Sequence, residues 1–268
     1  MRILTWNINS VRLRLPLLKR LIAEEGPDVI CLQETKTPDE FFPLADVIAE
    51  GYVHTHIHGM KSYNGVAILS RHPFTTTEIH HRVGREDRRH IAVYLNSGKF
   101  ARPVALHCLY IPAGGDIPDR EANEKFGHKL DFVDEMTSWF SENCDSDAPM
   151  IVLGDFNIAP LEQDVWSHKQ LLSVVSHTPV EVEKLTAMIG SLVWQDAIRH
   201  FVPHDQKCYT WWSYRNNDWK KSNRGRRLDH IWVTKPLMPC LKGYKILTDS
   251  RDWTQPSDHV PVMVDLDI

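Results

Sequence analysis

Five polar clusters, Trp6-Asn7-Ile8-Asn9, Leu32-Gln33-Glu34-Thr35, Gly154-Asp155-Phe156-Asn157, Arg227-Leu228-Asp229-His230 and Ser257-Asp258-His259, each stand at one end of a short apolar run. A strand would deliver such ends to a common rim. Together they offer the carboxylates of Glu34, Asp155, Asp229 and Asp258, asparagine amides and the imidazole of His259. Hard oxygen ligands beside proton donors and acceptors suit a divalent cation, a phosphate and a water between them. The chemistry such a set points to is metal-assisted phosphodiester cleavage.

Each cluster suggests its own task. Glu34 follows Val29-Ile30-Cys31-Leu32-Gln33, so an apolar strand brings an acid to its end, and Asn7 and Asn9 leave the first strand on one face by alternation. One carboxylate with one or two amide oxygens suits Mg²⁺, which keeps several waters and takes substrate phosphate as a further ligand. Asp155 is placed to take a proton from an attacking water, and Asn157 to donate to a phosphate oxygen or hold that water, while Gly154 permits close backbone approach. An imidazole held by a carboxylate stays protonated near neutral pH, so His259 could donate to a phosphoryl oxygen. Adjacent strand residues point to opposite faces, which makes Asp229 a better partner for His259 than Asp258. Local turn and cap hydrogen bonds would account for any one of these residues taken alone.

A basic and aromatic segment contains Trp211, Trp212, Tyr214, Arg215, Trp219, Lys220, Lys221, Arg224, Arg226 and Arg227. Cations of this kind contact a phosphate backbone while rings fill a groove or the space of a missing base. A solvated loop is the alternative. His54, His56 and His58 alternate as a zinc site might, but an exposed face of an edge strand explains them, since no further ligand follows at a suitable spacing.

The elements that must position these residues read as a mixed α/β pattern. Strand-like runs fall at 3–6, 29–32, 66–69, 91–95, 104–110, 150–153, 231–233 and 260–266, and helical patterns at 13–24, 41–49, 123–140, 181–189 and 194–201. Several strands are joined by stretches too short for a crossover helix. The expected fold class is therefore α/β, a four-layer sandwich of two mixed sheets packed face to face with helices outside, formed by residues 1–268 as a single domain. Five scattered cysteines, without a Cys-x-x-Cys pair, indicate reduced thiols. No apolar run reaches the ~20 residues of a membrane span. The chain opens on a strand pattern rather than a basic start and an apolar stretch, and the default expectation is a cytoplasmic protein with no membrane partner. The net charge of −4 argues weakly against a polyanionic partner, but local charge is the better guide.

Taken in order, Trp6-Asn7-Ile8-Asn9, Pro27-Asp28-Val29-Ile30-Cys31-Leu32-Gln33-Glu34-Thr35-Lys36, Tyr63-Asn64-Gly65-Val66, Tyr110-Ile111-Pro112, Gly154-Asp155-Phe156-Asn157, Arg227-Leu228-Asp229 and Ser257-Asp258-His259 span the chain. They resemble the exonuclease III and AP endonuclease branch of the endonuclease/exonuclease/phosphatase superfamily. The resemblance implies Mg²⁺-dependent hydrolysis of DNA phosphodiesters, with Mn²⁺ as a possible substitute, on double-stranded DNA with abasic sites or 3′ ends. It implies incision 5′ to abasic sites, 3′-to-5′ exonuclease activity and 3′-end processing by a monomer with no obligate protein partner. It makes Glu34 the main metal ligand with Asn9 and Asp258 nearby, and Asp155 the group that activates water. Asn7, Asn157 and Tyr110 would position the phosphate, and His259 paired with Asp229 would contact it. Lys36, Tyr63, Trp211, Trp219, Arg224, Arg226, Arg227 and Leu228 would meet DNA. Superfamily cousins that act on phosphoinositides or sphingomyelin share the catalytic set, but Tyr63-Asn64-Gly65 and the segment 211–227 favour DNA. A non-catalytic nucleic-acid-binding regulator on the same fold would be expected to lose parts of the site. Two departures stand out: Ser10 replaces a common glycine, and Arg226 stands where relatives commonly have Trp or Leu as a wall of the abasic-sugar pocket.

Overall fold

The computed structural model describes residues 1–215 and 218–268; Asn216 and Asn217, within the basic and aromatic segment, lie outside the described residues. In chain order the elements are β1 (Arg2–Asn7), α1 (Leu15–Glu25), β2 (Val29–Gln33), α2 (Leu44–Ala49), β3 (His54–His58), β4 (Val66–Ser70), β5 (Phe74–Arg82), β6 (Arg85–Leu95) and β7 (Val104–Tyr110). There follow α3 (Glu124–Asn143), β8 (Met150–Asp155), α4 (His168–Leu171), α5 (Pro179–Ser191), β9 (Gln195–Asp196), α6 (Trp219–Ser222), β10 (Asp229–Val233), β11 (Leu241–Ile246) and β12 (Val262–Leu266). Two mixed six-stranded sheets result, in the orders β11-β12-β1-β2-β4-β3 and β5-β6-β7-β8-β10-β9.

Alternation along the central strands explains the layering. Ile3, Val29, Cys31, Val66 and Ile68 of the first sheet share one core with Val93, Leu106, Cys108, Leu153 and Ile231 of the second. Leu4, Trp6, Ile30 and Leu32 face the other way and pack under Leu17, Leu18, Leu21 and Ile22 of α1. The outer face of the second sheet is covered by Phe132, Val133, Met136 and Phe140 of α3 and Leu185 and Met188 of α5. Helix, sheet, sheet and helix thus form four layers, because each sheet has two apolar faces to bury.

The inter-sheet face carries the chemistry at one edge. Its apolar residues give way at the ends of β1, β2, β7, β8 and β10 to Asn7, Gln33, Tyr110, Asp155 and Asp229. The parallel pairs Asn7↔Gln33 and Tyr110↔Asp155, with the antiparallel pair Asp229↔Asp155, bring these ends level.

Several expectations are corrected. Residues 194–201 do not form a helix; Gln195 and Asp196 pair with β10, and the Asp196 carboxylate accepts from the backbone of Ile198 and Arg199, which turns the chain. The helix expected over 41–49 begins only at Leu44, since Pro43 holds Phe42 extended, with φ −64° and ψ 138°. β5 and β11 were not foreseen. His54, His56 and His58 do lie on an edge strand, but they turn toward the second sheet: His56 Nε2 meets the Glu78 carbonyl at 2.9 Å, and His58 is buried beside Arg88.

Candidate active site

Asn7 links the two sheets, its amide nitrogen donating to Glu34 Oε1 at 3.0 Å and to Asp155 Oδ2 at 2.8 Å. Tyr110 donates from its hydroxyl to the same Glu34 oxygen at 2.7 Å. Glu34 follows the last residue of β2 with φ +52°, a conformation that costs a non-glycine residue of order 1–3 kcal/mol and is held by the surrounding contacts. Burial alone would raise Glu34, but Lys36, Asn7 and Tyr110 bring its carboxyl below the ordinary value. Burial and the neighbouring Glu34 and Asp155 charges push the Tyr110 phenol far up, so it remains a donor.

Alternation does not carry past the strand ends. β1 stops at Asn7, and Asn9 has φ +49°; its side chain turns to Asp258 Oδ1 at 3.2 Å and accepts from Lys36 Nζ at 2.7 Å. Asn157, expected on one strand face with Asp155, instead sits in a left-handed turn at φ +54°. That turn brings its amide nitrogen back to Asp155 Oδ2 at 3.1 Å and to the Ile111 carbonyl at 2.9 Å.

His259 stands opposite. Its Nδ1 meets Asp229 Oδ2 at 2.9 Å and its Nε2 lies 3.6 Å from Asp155 Oδ2. Asp229 Oδ2 also accepts from Thr210 at 2.6 Å, while its Oδ1 is buried with no hydrogen-bond partner among the described residues. Burial opposes the charge on His259, but Asp229 and Asp155 outweigh it and push the imidazole up to about 10. Asp155 is raised to about 7 by burial, with Asp229 and Glu34 adding and His259 pulling the other way. The pair therefore shares one proton that leans toward His259.

The donor set fits a hard cation. Among the described residues Asp155, Asp229 and His259 form a group whose ligand atoms lie within 4.8 Å of one another, but there the charged imidazole of His259 already supplies the cation, which leaves the Glu34 side for a metal. Across from it the Lys36 ammonium lies 2.7 Å from Glu34 Oε2 and 2.7 Å from Asn9 Oδ1, a cation already seated between two of the expected metal ligands. Asp258, the third, holds Trp211 Nε1 at 2.9 Å. A second cluster, His80, His90 and His107, differs in kind: Arg82 donates into His90 Nδ1, and burial pushes His107 down to about 3.

Glu34, Asn157, Asp258 and His259 open onto a cavity of about 960 Å³. Arg226 and Leu228 line it with Trp211, and the Arg226 guanidinium lies 5.2 Å from the Trp211 ring centre while donating to the Val175 carbonyl and Ser176 Oγ. Arg224 lines the outer part, over Trp166. Three of the residues expected on DNA do not line this cavity. Arg227 is 1% exposed, its guanidinium consumed by Asp164 and Asp196, because inward position on the chain leading into β10 turns it away from solvent. Trp219 packs on Trp212 and donates to Asp252. Tyr63 is exposed, with Arg89 on its ring, and is not among the residues lining the cavity. The sequence reading missed Trp166, Leu171, Val174, Val175 and Ser176 as cavity walls; the one signal was a surplus of apolar residues in a stretch without period.

The family model described as the Endonuclease/Exonuclease/phosphatase family matches residues 4–259. An exodeoxyribonuclease III of Haemophilus influenzae is 28% identical over 268 residues, covering 98% of each chain. An AP endonuclease from Archaeoglobus fulgidus superposes with a TM-score of 0.90 at 28% identity, with 100% of both chains covered. A 3′ phosphatase from Neisseria, solved with a product DNA hairpin, does so with a TM-score of 0.90 at 30% identity, again over 100% of both chains.

Proposed function

The chain belongs to the endonuclease/exonuclease/phosphatase family, and from that premise we propose that it is a Mg²⁺-dependent DNA phosphodiesterase of the exonuclease III type, acting on abasic sites and 3′ ends in duplex DNA. The observation that carries the reading is the meeting of Asp155, Asn7, Glu34 and the His259–Asp229 pair behind one cavity, which Glu34 and His259 line. Glu34, with Asn9 and Asp258 close by, would hold the cation; Mn²⁺ has the same ligand preference. The bound ion supplies Lewis-acid stabilisation of charge on the phosphoryl oxygens. Asp155 accepts the proton of the attacking water, oriented by Asn7 and Asn157. His259, kept charged by Asp229, donates to a phosphoryl oxygen as negative charge grows, and Tyr110 fixes the Glu34 carboxylate. Trp211, Leu228 and Arg226 form the slot for a sugar or a 3′ terminus, and Arg226 makes it polar, which favours 3′-end processing.

An end-labelled duplex assay tests this with an internal abasic analogue, a recessed 3′ end and a 3′ phosphate at one Mg²⁺ concentration. Cleavage of at least one, abolished by chelation and by His259→Ala, is expected. Duplex binding without cleavage of any of the three would instead mark a nucleic-acid-binding regulator.

A further inference from the structure

Behind the site lies an ion pair that the chemistry above does not use. Lys129 of α3 and Glu181 of α5 are both 0% exposed and meet at 2.5 Å. The other two protons of the ammonium point to the Asn157 carbonyl at 2.8 Å and the Ala113 carbonyl at 3.2 Å. Glu181 takes the backbone N–H of Ser176 at 2.9 Å and that of Thr178 at 3.1 Å, and Ser176 Oγ receives Arg226. One buried pair thus ties together three segments that line the cavity: the Asn157 turn, the 113–115 loop and the 174–176 loop. Gly114 follows from the same arrangement, since at φ +88° a Cβ there would come within 2.9 Å of Lys129 Cδ.

Stability does not call for this. Apolar side chains commonly replace a buried ion pair at no loss. The ammonium does fix a peptide plane. Asn157 stands in a left-handed turn, and the orientation of its carbonyl sets where its amide lies relative to Asp155. We propose that Lys129, held by Glu181, is a positioning residue for Asn157, setting the turn that brings the amide of Asn157 to the Asp155 carboxylate. The inference rests on the role given above to Asn157, orienting Asp155 and the attacking water.

The test uses the full-length protein with Lys129→Met, the double variant Lys129→Met/Glu181→Gln, Lys129→Arg and Asn157→Ala, each followed by Tm, kcat and KM on the duplex that wild type cleaves. Lys129→Met strands the Glu181 charge and should lower Tm; the double variant should recover most of that loss. Its kcat should nevertheless stay about ten- to a hundredfold low, the scale of a sub-ångström misplacement, with KM changed by less than about threefold. A double variant with recovered Tm and wild-type kcat would show a purely structural pair. If the double variant does not fold, Lys129→Arg decides: it keeps the counter-charge for Glu181 but cannot meet both carbonyls, so wild-type kcat in that variant overturns the proposal. Asn157→Ala with undiminished kcat would sink the underlying role of Asn157; a defective Asn157→Ala beside fully active Lys129 variants would sink only the inference.

Discussion

At the scale of single residues, the proton shared between Asp155 and His259 dictates a pH profile. The working form has Asp155 ionised and His259 charged, so kcat/KM should rise as Asp155 loses its proton and fall as His259 loses its own, near pH 10. Asp229 is the largest influence holding His259 up. Asp229→Asn leaves burial to dominate, and the alkaline limb should move down toward the ordinary histidine range. An alkaline limb that stays in place, measured at fixed Mg²⁺, would take Asp229 out of this role. The neighbouring arginines make a contrasting pair. Arg226 lines the cavity, so Arg226→Trp should shift the ratio of abasic incision to 3′ exonuclease upward and reduce the salt slope of DNA binding by roughly one phosphate contact. Arg227 is locked between Asp164 and Asp196, and Arg227→Met should cost about 3 kcal/mol of stability in urea unfolding, the low end of the penalty for breaking a buried pair, because Asp164 keeps Arg199. An unchanged ratio for the first, or a loss under about 1 kcal/mol for the second, would reverse the two assignments.

At the scale of elements, the register of β7 against β8 is what makes the site possible, and Gly154 is its narrowest point. At φ +141° a Cβ on Gly154 would come within 1.9 Å of the Leu109 carbonyl oxygen. Gly154→Ala must therefore push apart two central strands just where Tyr110 and Asp155 are paired. The expected loss exceeds about 4 kcal/mol, and a variant with near-wild-type midpoint in denaturant would mean the strands yield more easily than this contact allows. The same elements show what could be read in advance. The apolar runs behind Asn7, Gln33, Tyr110 and Asp155 were legible because a strand buried on both faces has few polar residues to break its pattern, here Thr5 and His107. β5 was not, since Phe74-Thr75-Thr76-Thr77-Glu78 mixes polar and apolar positions at a solvent edge. Asn9 and Asn157 come beside Asp258 and Asp155 not by strand alternation, as expected, but through left-handed turns that period counting does not see. Lys129 escaped notice, and Arg227 was expected on DNA, for a different reason. A buried cation looks like a surface cation until its carboxylate, dozens of residues away, is placed beside it.

At the scale of the whole molecule, the order of strands decides how the chain unfolds. β1 pairs with β2 in parallel and with β12 in antiparallel fashion, so the first and last strands lie side by side in one sheet. The second sheet is built from the residues between, and one core of Ile3, Val29, Leu106, Leu153, Ile231 and Val264 joins both. The site repeats the pattern: Asn7, Asp155 and His259 come from the start, middle and end of the chain and meet only when both sheets are docked. Neither sheet can keep its inner face buried if the other leaves. Residues 1–268 should therefore melt as a single unit, with one calorimetric transition whose van't Hoff enthalpy equals the calorimetric enthalpy. Since Glu34, Asn9 and Asp258 come together only in the folded chain, a divalent cation that binds there should raise that single transition as its concentration rises, by mass action. Glu34→Gln should weaken the rise. Two resolved transitions would show that the two sheets unfold separately, and a single transition indifferent to Mg²⁺ would show that the folded site does not hold the cation.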